Sequence, residues 1–308
     1  MSILRTVLPL ILLTGCFRVG EELEPQINPV VQDRYLKSLP EPFAHVAGNL
    51  DWEKEARIGM GFAKELDLYQ AITAFKRASF LLPPDDTQAR LQLDYDVFLA
   101  YYLGGKYQET LYTFETSSLR TVTPLFTPYH DLLVMLYDSH IHLDQQDDAD
   151  AIAAHLAAYD PATAQKLTLS TQLLKGDIPA LEKEAPSHPE IASLLTTYKE
   201  QKKSTFTAQT LNAFLPGAGY LYVGQTQSAL TAFALNGLFI WASVYFFQHG
   251  NIAAGAIFTS FEAGWYFGGI YGAGQEAKLY NERLYERTAS PLMNSERYFP
   301  ILMLKYGF

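Results

Sequence analysis

The stretch YDSHIHLDQQDDAD places Asp138, His140, His142, Asp144, Asp147 and Asp148 in one short run. Imidazoles and carboxylates at this density are the donor types of a zinc site, so the spacing decides whether they can act together. On a helix, His140 and His142 point to nearly opposite sides and cannot share an ion, whereas Asp138 and His142, four apart, can. Scattered charges of this kind are normally solvated. The run is therefore expected to be an exposed helix face, with no metal bound. Serines, histidines and aspartates occur elsewhere, but no serine sits in a strand-to-helix elbow, and no catalytic residue is expected. The chain is read as not an enzyme.

A second stretch, LNAFLPGAGYLYVGQ from Leu211 to Gln225, sets Gly217, Gly219 and Gly224 among aromatics after Pro216. A dinucleotide loop needs its glycines between a strand and a helix, with an acidic residue further on. A P-loop needs Lys-Ser or Lys-Thr after its last glycine, but Gly224 is followed by Gln225 and Thr226. A phosphate cradle does not fit either pattern, and the glycines need another explanation.

The first 16 residues, MSILRTVLPLILLTGC, have one basic residue and then an apolar run, the pattern of a secretory signal. The run is short for a membrane span. Its end, LTGC, resembles the lipobox of bacterial lipoproteins, which implies cleavage before Cys16 and a diacylglycerol on its thiol. Cys16 is the sole cysteine, which leaves no disulfide and no cysteine metal site. The covalent lipid on Cys16 is the only prosthetic group expected; no cofactor is. Ahead of Ser204, 28 acidic residues face 17 basic ones beyond the signal, so nucleic acid is not an expected partner.

Domain boundaries follow composition: a signal at 1–15, a tether at 16–50 with scattered prolines, a helical repeat domain at 51–203, a membrane domain at 204–290 and a tail at 291–308. The segment ARIGMGFAKELDLYQAITAFKRASFLLPP resembles a tetratricopeptide repeat. Gly59 and Phe62 match its first helix, Ala71, Phe75 and Ala78 its second, and Pro83 its close. Small residues let paired helices approach while the aromatic fills their groove. A looser unit matches at Tyr101, Thr110 and Phe114, with a spacing from Ala71 to Thr110 longer than that family's repeat. A third aligns through Tyr137, Ala149, Ala153 and Pro161, and one or two capping helices follow to Lys203. The alternative is an unrelated array of helical hairpins. The resemblance implies a surface that binds a protein or peptide, without catalysis.

From Ser204 to Gln275 only Glu262 is charged. Two apolar runs, Ser228–Phe247 and Ile252–Gly274, are each long enough to cross a bilayer core, and the four residues between them allow only an antiparallel hairpin. A buried soluble helix pair is the alternative. With Gly217, Gly219, Tyr220, Tyr222 and Gly224 ahead of them, the runs resemble small two-helix membrane modules introduced by a Tyr-x-Gly segment. In the second run Ala256, Ser260, Gly264, Gly268 and Gly272 recur every four residues, a surface for close helix packing and self-association. Glu262 within a crossing is costly and is expected to be neutral or paired. Asn236 lies at similar depth and is the expected hydrogen-bond partner, which leaves the small-residue stripe for another copy.

The final PILMLKYGF resembles an outer-membrane terminal strand in its alternation of apolar residues, but the helical runs leave no room for a barrel, so a packing strand or a loose tail is expected. The fold class expected is all-α: a tetratricopeptide-like array followed by a transmembrane or membrane-associated hairpin. The expected function is a noncatalytic, lipid-anchored envelope scaffold facing the periplasm, with the outer membrane preferred over the inner. Its partners are membrane lipid and an envelope protein or peptide. The alternative is a transport or permeation component built from hairpins around Glu262.

Overall fold

The structure is a computed structural model that describes residues 18–27, 31–38, 40–43 and 48–308. The signal run and Cys16 lie outside the described residues. The fold is all-α, with two-residue strands as its only sheet among the described residues. The chain forms two compact units, one of Ile27–Leu174 with Ser290–Phe308, the other of residues 18–26 with Lys175–Ala289.

In the first unit, α1 (Val31–Ser38) and β1 (Glu41–Pro42) precede helix pairs α2 (Asp51–Lys64) and α3 (Leu68–Leu81), α4 (Thr87–Leu103) and α5 (Tyr107–Thr116), and α6 (Tyr129–His142) and α7 (Gln146–Ala157). Helix α8 (Pro161–Lys175) follows. From α2 to α7 each helix packs on the next. Aspartates start several of them: Asp67 accepts the Gln70 N–H and Asp86 the Ala89 N–H, filling orphan donors of the first turn.

One turn geometry closes all three pairs. Leu66, Gly105 and Asp144 adopt left-handed φ of 58°, 65° and 56° and stand 39 residues apart. Each donates its N–H back three residues, and the following residue donates back five, to Phe62, Tyr101 and His140. This pair of hydrogen bonds satisfies the last carbonyls of a helix and reverses the chain. Ala71, Thr110 and Ala149 share the same interval and are all fully buried. Thr110 fits there because its hydroxyl bonds the Lys106 carbonyl at 2.9 Å. The residues of the first pair pack as their types require: a Cβ on Gly59 would stand 2.6 Å from the Phe75 ring. Ala71, Phe75 and Ala78 are fully buried, Phe62 is half-buried, and exposed Pro83 follows the end of α3.

The second unit holds α9 (Ile178–Glu184), α10 (Pro189–Gln201), α11 (Thr205–Phe214), α12 (Ala218–Tyr222), α13 (Thr226–Gln248) and most of α14 (Ile252–Ser295). The division falls after Leu174 rather than at Lys203, because α10 packs on α14. The Tyr198 and Tyr285 rings meet edge-on at 6.0 Å. Lys203 and Asn281 also exchange two 2.7 Å hydrogen bonds. Part of the segment read as a tether is ordered against this unit. Residues 18–26 lie along α14, with the Glu24 N–H on Glu282, the Gln26 N–H on Glu286 and the Glu24 carboxylate on Lys278 at 2.6 Å.

Candidate functional site

The Leu211–Gln225 stretch is a tight chain crossing. Gly217 has φ of 96°, and a side chain there would run into the Ala229 carbonyl. Its N–H is held by the Asn212 side chain at 2.8 Å. Gly219 lies against α11 and α14, where a Cβ would stand 2.7 Å from that of Ala273 and 2.9 Å from that of Asn212. Tyr222 accepts the Ser204 N–H at 3.2 Å, and Tyr220 sets its hydroxyl against Gly272. These residues hold α11 to α14 together.

Along α11, α13 and α14 the surface is largely apolar. Phe206, Phe214, Leu230, Trp241, Ile252 and Phe261 are each at least 60% exposed. Monomers in water seldom expose contiguous apolar surface beyond a few hundred Å². Among the described residues one helix, α13, is long and apolar enough to cross a membrane, with a mean hydropathy of 1.6 and 22% of that window buried. The run Ile252–Gly274 forms the first half of α14 but does not reach that measure. At its end, a Cβ on Gly274 would stand 2.9 Å from Val19, and the Val19 carbonyl accepts from Thr205 at 3.3 Å. Residue 19 thus sits where the apolar half of α14 gives way to Glu276, Lys278 and Glu282.

Helices α13 and α14 run antiparallel, with Phe246 stacked on Phe258 at 5.3 Å and Phe239 tilted on Phe261 at 6.4 Å. The expected Asn236–Glu262 bond is absent. Asn236 donates to the Ala232 carbonyl of its own helix at 2.6 Å, which leaves its Oδ1 free, and Glu262 Oε2 is likewise buried without a partner. Equal depth did not make a pair: the asparagine spends its donor on its own helix, and neither of the two remaining oxygens finds a partner.

The small-residue stripe divides. Ala256, Ser260, Gly264 and Gly268 are exposed, with nothing within 4 Å of a Cβ at Gly264 or Gly268, whereas Gly272 is covered by Tyr220. Four residues advance about 400° around a helix, so the row drifts about 160° over four steps and leaves the face on which it began.

In the other unit, the histidine-rich run is a structural cluster. Buried Asp138 accepts from the Tyr102 hydroxyl at 2.7 Å, and His142 bonds the Asp138 carbonyl at 2.9 Å while stacking on Tyr107 at 4.1 Å. Burial disfavours the His142 cation, but the Asp138 carboxylate and carbonyl outweigh it and raise the pKa. His140 bonds Gln145 at 2.8 Å on another side. No group of three metal-ligating side chains converges among the described residues.

A grouping that periodicity could not reveal lies on α1, α3, α4 and α6. There Asp131, fully buried, pairs with His130 through Oδ1 at 2.9 Å. Its Oδ2 accepts the N–H groups of Lys305 and Tyr306 at 2.8 and 2.6 Å. The segment pairs with β1 as a two-residue parallel strand, β2 (Tyr306–Gly307). Phe308 stacks on Phe75 at 6.1 Å and donates its N–H to the Tyr35 hydroxyl at 2.9 Å. Burial pushes that hydroxyl up to about 12, so it stays protonated and offers its lone pair. The only hint in the sequence is Asp131 itself, an acid followed directly by the apolar run of α6.

Asp96 on α4 is 2% exposed, and its Oδ2 has no partner among the described residues. Burial pushes its carboxyl well above the usual range. The folded chain holds this proton where the unfolded chain releases it, above the ordinary value of 3.8. The stability tied to it is complete below that value and is lost as pH rises toward the folded one. Asp96→Asn is expected to flatten that slope and to raise the thermal midpoint more at pH 8 than at pH 5, followed by circular dichroism.

Compared with known protein families, curated proteins and solved structures, the chain matches none of them.

Proposed function

We propose that this chain is a noncatalytic, lipid-anchored scaffold or adaptor of the bacterial cell envelope. In this reading its tetratricopeptide-like unit faces the periplasm and binds a protein partner, while the α13–α14 hairpin holds it in a membrane, with the outer membrane preferred. The observation that carries the reading is the exposed apolar surface of α11 to α14, since exposed apolar surface of this kind marks contact with a membrane or a partner. The position of Val19 supports it: Cys16 precedes Val19 by three residues, about 10 Å of chain, so a lipid there reaches the level where the apolar half of α14 ends. The recurrence of one turn every 39 residues supports the repeat reading.

The test is capture of partners from detergent-solubilised membranes after crosslinking in cells. A specific protein retained by the full chain is the expected result, and repeated recovery of lipid alone counts against a scaffold. Self-association through the exposed part of the stripe gives a further expectation. An added Cβ at Gly268 has nothing within 4 Å, so Gly268→Leu is expected to weaken any oligomer while leaving insertion intact. Crosslinking in detergent and in membranes reads both effects.

A second reading rests on the unpaired Asn236 Oδ1 and Glu262 Oε2 inside the hairpin. Ionisable groups at such positions mark permeation pathways in membrane proteins. Under that reading proteoliposomes conduct ions or solutes, and Glu262→Gln abolishes the flux. Under the scaffold reading neither protein conducts.

A further inference from the structure

Residues 305–308 are held through their main chain, as a bound peptide is. Beyond the two bonds to Asp131 and the one to Tyr35, the Lys305 carbonyl accepts the Glu41 N–H at 2.9 Å and the Gly307 carbonyl accepts the Phe43 N–H at 3.0 Å. The Tyr306 carbonyl accepts the Tyr95 hydroxyl at 3.4 Å. Side chains then add selectivity. Tyr306 meets the edge of Phe43 at 6.4 Å, and Phe308 lies between Phe75 and Tyr35. At Gly307 any Cβ would run into the Tyr35 hydroxyl and come within 2.6 Å of Pro40.

We propose that the groove of α1, α3, α4 and α6 is a receptor for an extended aromatic–glycine–aromatic peptide, with 304–308 as its resident occupant. A segment of the same chemistry on a partner protein displaces it. This rests on the scaffold reading and names its recognition site. The argument is chemical. Asp131 is fully buried, yet one of its oxygens serves no helix of its own unit; it takes two consecutive N–H groups of the strap, donors that any peptide carries. Main-chain capture with pockets for alternate side chains is how sheet edges take up foreign strands. The strand pairing is only two residues long and involves β1 alone, so releasing the strap breaks no backbone hydrogen bond of a helix.

The experiment uses the full chain in detergent micelles and a fluorescent peptide with the sequence of Leu302 to Phe308. Wild type is expected to bind the peptide weakly, because its own strap fills the groove. Gly307→Val, which cannot seat the strap, is expected to bind at least tenfold more tightly by fluorescence anisotropy. Adding Asp131→Ala to that variant, or replacing the peptide glycine by valine, is expected to remove the gain. Phe308→Ala serves in place of Gly307→Val if helicity is lost in the latter. Equal binding by wild type and the strap variants, or none by any helical variant, overturns the proposal. Strap exchange into dimers in place of peptide binding also overturns it. Partner capture that persists unchanged in Asp131→Ala overturns the groove as the site but leaves the scaffold reading standing; absence of partner capture by wild type strikes the scaffold reading itself.

Discussion

Gly219→Val is expected to destabilise the apolar unit strongly. Its Cβ would enter the space of the Ala208 carbonyl and stand 2.7 Å from the Ala273 methyl and 2.9 Å from Asn212. Two of these three contacts belong to α11 and one to α14, so the crossing at α12 can relieve them only by moving a helix. Overpacking against backbone is at the costly end of such changes, about 3 kcal/mol. For a unit of this size that is a fall of about 10 °C in the melting midpoint. Gly237→Ala is the matched control. It lies exposed within α13 with nothing within 4 Å of an added Cβ, and removing glycine from a helix interior is expected to gain about 0.5–1 kcal/mol. Thermal unfolding of both variants in the same detergent compares them directly. Equal midpoints would show that α11 and α14 are not held by this approach.

The other large effect concerns Cys16. As the sole thiol of the chain, it is the one acceptor for a thioether-linked lipid. Cys16→Ser is expected to abolish metabolic labelling with radioactive palmitate and to leave an unprocessed precursor, seen as a slower band. The precursor is also expected to need detergent for extraction, since the exposed apolar surface of α11 to α14 does not depend on the lipid. Normal labelling would refute the lipobox. Loss of labelling with full release into buffer would instead refute the membrane role of the hairpin.

The parts legible in the sequence were those set by local chemistry. Gly59, Phe62 and Phe75, the two alanines Ala71 and Ala78 and the closing Pro83 announced the first helix pair because small-against-large packing leaves a fixed spacing. The interval of 39 residues was also readable, from Ala71 through Thr110 to Ala149, once threonine is allowed to stand for alanine by bonding its own helix. What escaped was non-local. Residues 18–26 follow no apolar period, since they are held to α14 by main-chain hydrogen bonds at Glu24 and Gln26 and by one ion pair, Glu24 with Lys278. The Asn236–Glu262 expectation used depth alone, and the asparagine satisfied its donor within its own helix. A row at four-residue intervals looked like one face, though the helix repeat of 3.6 makes it wind. Asp131 gave no sign of its contacts because the donors it meets are 174 and 175 positions away.

That distance has a consequence for the order of assembly. Tyr306 pairs with Glu41 across 265 positions, and contacts so remote form only after a long loop has been closed. The helix pairs between Asp51 and Lys175 are bonded mainly to their neighbours and are complete in sequence by Lys175. At synthesis rates of about 5–20 residues per second, the interval before Lys305 exists lasts roughly 7–26 seconds. Throughout it Phe75, Tyr95 and Asp131 lack their occupant. A newborn chain is therefore most receptive to a competing segment before its own last strand is made, and whatever reaches Asp131 in that window does so without having to evict the strap.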